Sequence, residues 1–282
     1  MKRNLIYLSL FLVCVLAFGL FLTVTKARTD AQPPTISFAE GPVEFSATAP
    51  RATYLQGVTA WDDRDGDVTA SVVVADVKLL DPDGSIRITY AAFDAAGNVT
   101  KASREAKFTD YESPKFTLDQ SLTFASGTNF DLFKLIGAQD VLDGDISHRV
   151  RINSLDESTI TATGIHNVEL RVTNSLGETT RLVIPVEVYA AGTYTAKLTL
   201  TEYMVYLPVG EVLDENAYLD TFLAGNSSLS LADGLPENCT LDVINQVETD
   251  VPGVYTVEYR VSQRTGNATV TGYAKLIVVV EG

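Results

Sequence analysis

The sequence predicts an all-β chain of tandem sandwiches that follows one apolar N-terminal helix. Three observations carry that reading. From Thr35 onward, short runs rich in β-branched and aromatic residues alternate with turn signals, with no convincing amphipathic helix between them. The loop Ala60-Trp61-Asp62-Asp63-Arg64-Asp65-Gly66-Asp67-Val68-Thr69 returns as Ala138-Gln139-Asp140-Val141-Leu142-Asp143-Gly144-Asp145-Ile146-Ser147. A strand-like run opening at Gly84, Gly164 and Gly253 is followed at one fixed spacing by Gly97, Gly177 and Gly266. Self-similarity of this kind marks tandem units rather than one large fold.

The N-terminus comes first. Lys2 and Arg3 precede residues 5–24, which are apolar apart from Ser9 and Thr23. About 20 such residues cross a bilayer as a helix. A secretory apolar region is usually ~7–15 residues, although Thr25-Lys26-Ala27 is a tolerable cleavage site. Residues 1–27 are therefore a transmembrane anchor or a cleaved signal peptide, and either exports the rest of the chain. Phe11-Leu12-Val13 before Cys14 does not suit a lipoprotein signal. Residues 28–34 are polar, end in Pro33-Pro34 and read as a short, stiff stalk.

Three bodies come after the stalk, at residues 35–109, 115–189 and 193–282. In the first, β-rich runs lie at 35–38, 43–46, 54–60, 68–75, 86–93 and 99–108. Alternation puts Ile86, Ile88 and Tyr90 on one face, then Val168 and Leu170, then Tyr255, Val257 and Tyr259. The second glycine of each pair suits a hairpin turn into the last strand. Residues 109–115 and 190–192 are short joints, so neighbouring bodies are expected to touch. The third body lacks the Asp-Gly-Asp loop, and residues 222–237 fill that region differently.

Of the 21 Lys and Arg, only Lys2 and Arg3 lie in the first 24 residues, so beyond them 19 face 36 Asp and Glu, a net charge of −17. This balance argues against nucleic acid and anionic membrane surfaces as partners of the folded part. Cys14 sits in the apolar run and Cys239 stands alone beyond it, so no disulfide forms within the outer part of one chain. The folded part must rely on burial, which bodies of this size can manage.

The repeated loop is the main place to look for chemistry. Asp62, Asp63, Asp65 and Asp67 crowd four carboxylates together, and such a group needs N–H donors, solvent or a metal. One reading is a turn, with glycine in the left-handed region and Asp side chains accepting from nearby backbone. The other is a Ca²⁺ site formed by Asp62, Asp65 and Asp67, and again by Asp140, Asp143 and Asp145. The EF-hand pattern is not met, because no Glu stands at the twelfth position. His148 without a second His or a Cys cluster reads as solvent-exposed rather than as a zinc ligand or base. His166, aligned with Tyr255, reads as a corner or surface residue, and Cys239 as a small buried group. Trp61, Tyr54 and Tyr111 are either an aromatic sugar-binding patch or core. No nucleophile elbow, zinc-protease or phosphate-loop pattern is present. The reading is non-enzymatic, with no catalytic or cofactor-binding residue and Ca²⁺ as the one possible cofactor.

The loop, together with Tyr90-Ala91-Ala92-Phe93-Asp94-Ala95-Ala96-Gly97-Asn98, resembles the bacterial immunoglobulin-like repeats of surface proteins. Those repeats carry an A-x-D-x-x-D-G-D-[VI]-[TS] loop and a Y-x-A-x-D-x-x-G-N hairpin. The second body departs from the pattern at Asn174 and Glu178, and the third keeps only the hairpin half. The resemblance implies three immunoglobulin-like sandwiches acting as spacers, adhesion modules or accessory modules beside enzymes, with a protein or glycan partner at the cell surface. Asp250-Val251-Pro252-Gly253-Val254-Tyr255 also resembles the tyrosine corner of immunoglobulin domains, which implies that the Tyr255 hydroxyl bonds to backbone.

Overall fold

A strand whose side chains alternate apolar and polar has one face to bury, and two such sheets bury it against each other. The computed structural model describes residues 7, 10–21, 30–154, 160–232 and 234–282, and shows a chain dominated by strands in sheets. It falls into two compact units, Met1–Tyr111 and Glu112–Gly282.

In the first unit the strands are β1 (Thr35–Phe38), β2 (Glu44–Phe45), β3 (Val58–Asp62), β4 (Gly66–Asp67), β5 (Val73–Leu79), β6 (Ser85–Phe93) and β7 (Val99–Phe108). They form one sheet in the order β1-β3-β4 and a second in the order β2-β7-β6-β5. β6 and β7 run antiparallel from Ser85↔Lys107 to Phe93↔Val99, whereas β2 pairs parallel to β7 at Phe45↔Phe108. Val58 and Ala60 from one sheet and Ile86, Ile88 and Tyr90 from the other are buried. The Phe38 and Tyr90 rings meet across the two sheets at 5.5 Å.

The same strand order appears twice more in the second unit. β8 (Lys115–Leu118), β10 (Ile136–Asp140) and β11 (Gly144–Asp145) form one sheet. β9 (Thr123–Ala125), β14 (Thr179–Tyr189), β13 (Gly164–Thr173) and β12 (Arg151–Ser154) form the facing one. Next, β15 (Ala196–Leu200), β17 (Leu219–Ala224) and β18 (Ser227–Ser230) correspond to β1, β3 and β4. β16 (Met204–Pro208), β21 (Ala268–Glu281), β20 (Gly253–Thr265) and β19 (Cys239–Asn245) correspond to β2, β7, β6 and β5. Here β15 also pairs parallel with β21 at Ala196↔Gly272, which joins the two layers into one sheet.

β21 explains why its sequence does not alternate. Leu276, Val278 and Val280 pack with Leu198, Phe222 and Tyr259 in the core of their own repeat. Ile277 and Val279 pack with Phe116, Ile184 and Val186 of the preceding repeat. Both faces are buried, so both must be apolar. The packing between residues 115–189 and 193–282 is thus continuous. It is reinforced by Lys275 Nζ, 2.6 Å from Glu187 Oε2 and 3.2 Å from Glu258 Oε1. Tyr273 Oη donates to the same Glu187 oxygen at 2.8 Å.

The local reading needs two corrections. The run 54–60 is not a strand throughout: Arg51–Leu55 is a 3-10 turn that buries Tyr54, and the strand starts at Val58. Likewise Thr69–Ser71 is a 3-10 turn ahead of β5. β-branched content alone does not separate these segments, because the turns are fixed by distant partners. The Tyr90 hydroxyl donates to the Tyr54 carbonyl at 2.7 Å, as Tyr259 does to Glu215 in the 3-10 turn Glu215–Tyr218.

At the N-terminus, residues 10–21 are helical, and Leu10, Phe11, Leu12, Leu16, Phe18, Leu20 and Phe21 are exposed. No helix among the described residues is long and apolar enough to cross a membrane. The remainder of the expected helix, at 5–6, 8–9 and 22–24, lies outside the described residues, as do residues 28–29 of the stalk and Asp233.

Candidate metal site

The Asp-Gly-Asp loops are turns whose carboxylates each have a distinct task. Gly66 and Gly144 have φ of 76° and 68°, so a side chain there would be strained. Asp62 Oδ1 accepts from the N–H groups of Arg64 and Asp65 at 2.8 and 2.9 Å. Asp140 Oδ1 does the same for Leu142 and Asp143, both at 2.9 Å. Asp67 Oδ1 accepts from Thr69 N–H, and Asp145 Oδ1 from Ser147 N–H and hydroxyl. Those bonds hold the Asp67 and Asp145 carboxyls below the usual carboxylate range. Thr69 Oγ1 and Ser147 Oγ then accept from Ala60 and Ala138 N–H, which accounts for the hydroxyl residue at that place in both loops.

Asp65 and Asp143 reach further. Asp65 Oδ2 accepts from Ala95 N–H at 2.7 Å, and Asp143 Oδ2 from Ser175 N–H at 2.7 Å. Each staples its loop to the hairpin that follows the central strand. Asp143 also takes Arg149 Nη1 at 2.6 Å. Burial pushes its carboxyl up, but Ser175 and Arg149 outweigh it and the net shift is downward.

The two loops part company at the second oxygen of the first Asp. Asp140 Oδ2 accepts from Asn174 Nδ2 at 3.1 Å. In the first repeat the residue in Asn174's place is Asp94, which has no proton to give when ionised. Asp62 is 2% exposed, and its Oδ2 is buried with no hydrogen-bond partner. Asp94 is also buried, and Asp30 joins from the segment ahead of β1. One carboxylate oxygen from each of Asp30, Asp62 and Asp94 lies within 4.8 Å of the others. Asp30 Oδ2, likewise buried and without a hydrogen bond, has the Arg64 guanidinium 3.9 Å away. Asn98 completes the frame. Its Nδ2 donates to Asp94 Oδ2 at 2.7 Å and approaches the Asp30 and Gln32 carbonyls at 3.3 Å, while its N–H donates to Asp94 Oδ1.

Of the residues singled out in the sequence, the fold brings Asp62 into this group. It places Asp65, Asp67, Asp140, Asp143 and Asp145 in the backbone and side-chain bonds described above. Asp30 and Asp94 escaped sequence reasoning. Asp30 looked like part of a polar stalk, and Asp94 lies in the hairpin, 32 positions from Asp62. The signal available was the difference between Asp94 and Asn174 in otherwise matching hairpins.

The remaining candidates have structural surroundings. His166 is buried, with Nε2 2.7 Å from the Ala162 carbonyl four residues back. Tyr255 Oη donates to Val251 O four residues back at 3.0 Å, which is the corner bond expected. His148 is exposed. Cys239 is buried, which pushes its thiol pKa up and its reactivity down. Tyr54 is buried and Tyr111 stacks on Phe108, whereas Trp61 is 61% exposed, so these three do not form one aromatic patch.

No family model matches the sequence, and no curated protein matches it. Among solved structures, Drosophila N-cadherin EC1-3 aligns over 87% of this chain and 99% of its own, with 12% identity and a TM-score of 0.27. The M60 catalytic domain with CBM51-1 and CBM51-2 from Clostridium perfringens ZmpB aligns over 90% of this chain and 43% of that one, with 12% identity and a TM-score of 0.26. The protocadherin GammaB4 extracellular domain aligns over 89% and 50%, with 10% identity and a TM-score of 0.20. The chain spans half or less of the length of the last two. Tandem β-sheets suffice to give superpositions this loose, so the all-β fold rests on the strand order above.

Proposed function

We propose that the chain is a non-enzymatic extracellular module. In this reading, immunoglobulin-like sandwiches at residues 35–109, 115–189 and 193–282 stand on a bacterial cell surface and serve as a spacer or adhesion rod. The observation that carries it is where the reactive groups go. Asp65, Asp67, Asp140, Asp143 and Asp145 hold turns, and His166 is tied to a backbone carbonyl. An enzyme needs such groups converging on a place where a substrate can sit. The N-terminal apolar segment supports a membrane tether, because its described helical residues expose apolar side chains that a bilayer would cover. The net negative charge suits an exterior that stays soluble.

Trp61, the sole tryptophan, is the best-placed contact residue, since large exposed aromatics are the usual anchors of binding surfaces. The test is protease shaving of intact cells. Release of the folded units, with the apolar segment kept in the membrane fraction, is expected; full protection inside the cell overturns the location. Attachment assays with Trp61→Ala should show weakened binding to the partner surface. A glycan is the second reading, favoured by the same indole, whose flat face suits a sugar ring. A glycan array probed with the parent and Trp61→Ala chains separates it from a protein partner.

A further inference from the structure

We propose that Asp30, Asp62 and Asp94 form a single Ca²⁺ site that clamps the segment ahead of β1 onto the first sandwich, and that the second repeat has replaced the ion with an amide. Two independent observations point to it. The first is geometric. Ca²⁺ binds oxygen at about 2.3–2.6 Å, so ligands on opposite sides of it lie at most about 5 Å apart. The three carboxylates meet that limit, with one oxygen from each within 4.8 Å of the others. An all-oxygen set without His or Cys selects Ca²⁺ or Mg²⁺ over zinc or copper.

The second observation is the orphaned atom. Asp62 is 2% exposed, its Oδ1 is occupied by two N–H groups, and its Oδ2 has no hydrogen-bond partner. A buried carboxylate oxygen needs a donor or a cation. The second repeat shows what a donor looks like there. Asp140 Oδ2 takes Asn174 Nδ2, while the bonds from Asp143 N–H to Asp140 Oδ1 and from Ser175 N–H to Asp143 Oδ2 have direct counterparts in the first repeat. Putting Asp in Asn174's place, as the first repeat does at position 94, removes the donor and adds a negative charge. The half-exposed Arg64, at 3.9 Å from Asp30, is beyond hydrogen-bond reach and is one charge against three.

The partner of Asp30 differs between the repeats as well. Asn98 holds Asp30 and Gln32 through their carbonyls. At the corresponding place Glu178 instead accepts from the Ser113 hydroxyl. The ion would therefore order residues 30–34 only in the first repeat. Ca²⁺ is preferred to Mg²⁺ because the ligands come from three separated segments and a flexible, larger coordination shell tolerates that.

The experiment uses the full chain in detergent, stripped with EDTA and titrated with Ca²⁺, with Mg²⁺ in parallel. One Ca²⁺ per chain is expected, with a rise of about 4–8 °C in the melting midpoint of the first unit near saturation. Slower hydrogen exchange at 30–34 should accompany it. Tb³⁺ bound at the site should luminesce on excitation of Trp61, the neighbour of Asp62. Asp94→Asn copies the second repeat and so should fold, melt at or above the metal-free parent, and lose Ca²⁺ affinity by at least about a hundredfold, the upper range for groups outside a ligand shell. Asp30→Ala should weaken binding and abolish the exchange effect at 30–34. No response to Ca²⁺ at millimolar concentration overturns the site. Equal binding by the parent and Asp94→Asn chains also overturns it, and a response to Mg²⁺ alone overturns the choice of ion.

Discussion

Tyr90 shows how one side chain can decide a repeat's architecture. It is fully buried in β6, yet its hydroxyl donates to Tyr54 O at 2.7 Å and accepts from Arg104 Nε at 2.8 Å. The first bond fixes the 3-10 turn that feeds β3, and through β3 the loop holding Asp62. Removing the hydroxyl leaves Arg104 Nε without that acceptor, so Tyr90→Phe should cost about 1–3 kcal/mol, read from urea unfolding of the full chain followed by Trp61 fluorescence. Asp143 makes a second prediction at this scale. Its carboxyl is depressed on balance by Ser175 and Arg149, against burial. A depressed carboxylate contributes stability that is fully present above its unfolded pKa of about 3.9 and is lost as pH falls through the lower folded value. Melting midpoints between pH 6 and pH 2 should therefore drop less steeply in Asp143→Asn than in the parent. Equal slopes would show that the Arg149 contact contributes nothing in solution.

At the scale of the element, β21 is the strand on which residues 112–282 depend. Its odd-numbered side chains Tyr273, Lys275, Ile277 and Val279 meet the preceding repeat, and its even-numbered ones from Ala274 to Val280 meet their own core. Ile277→Ala should cost about 2–5 kcal/mol through the cavity it opens. Lys275→Met keeps the stem but leaves Glu187 and Glu258 facing each other. It should cost about 3–5 kcal/mol. Denaturant midpoints of the parent and each variant check both. The apolar run 276–280 announced this double burial in the sequence, because a strand with a wet face alternates. The turns were legible in part for a similar reason: the bonds of Asp67, Asp145 and the Tyr255 corner close within a few residues, whereas those of Asp65 and Asp143 reach hairpins 30 and 32 positions away. Asp30 and Asp94 were not legible, since what defines them is a buried atom on Asp62 that only the folded chain brings near. Nor was the 3-10 turn at Arg51–Leu55, whose partner Tyr90 lies some 36 positions away.

For the whole molecule, the question is how many cooperative bodies the repeats make. Strand order recurs three times, but the packing does not. Residues 112–282 share the β21 faces, the Lys275 network and the Tyr206 hydroxyl, which accepts from Phe116 N–H at 2.6 Å and contacts the Phe116 carbonyl at 3.3 Å. Separating the second repeat from the third would expose Ile277 and Val279 and strip Glu187 of Lys275 and Tyr273, a cost comparable to the stability of a single domain. The full chain should therefore unfold in two calorimetric transitions rather than three. With unfolding enthalpy near 0.7 kcal/mol per residue at 60 °C, the transition of residues 112–282 should carry roughly 120 kcal/mol and that of the first sandwich roughly 50 kcal/mol. Ile277→Ala should lower only the larger one, and should shift protection from hydrogen exchange in β13 and β20 together. If Ile277→Ala splits that transition in two, the face it removes is what couples the repeats. If the parent chain already shows three transitions, the shared faces of β21 do not suffice to couple them, and each repeat unfolds on its own core.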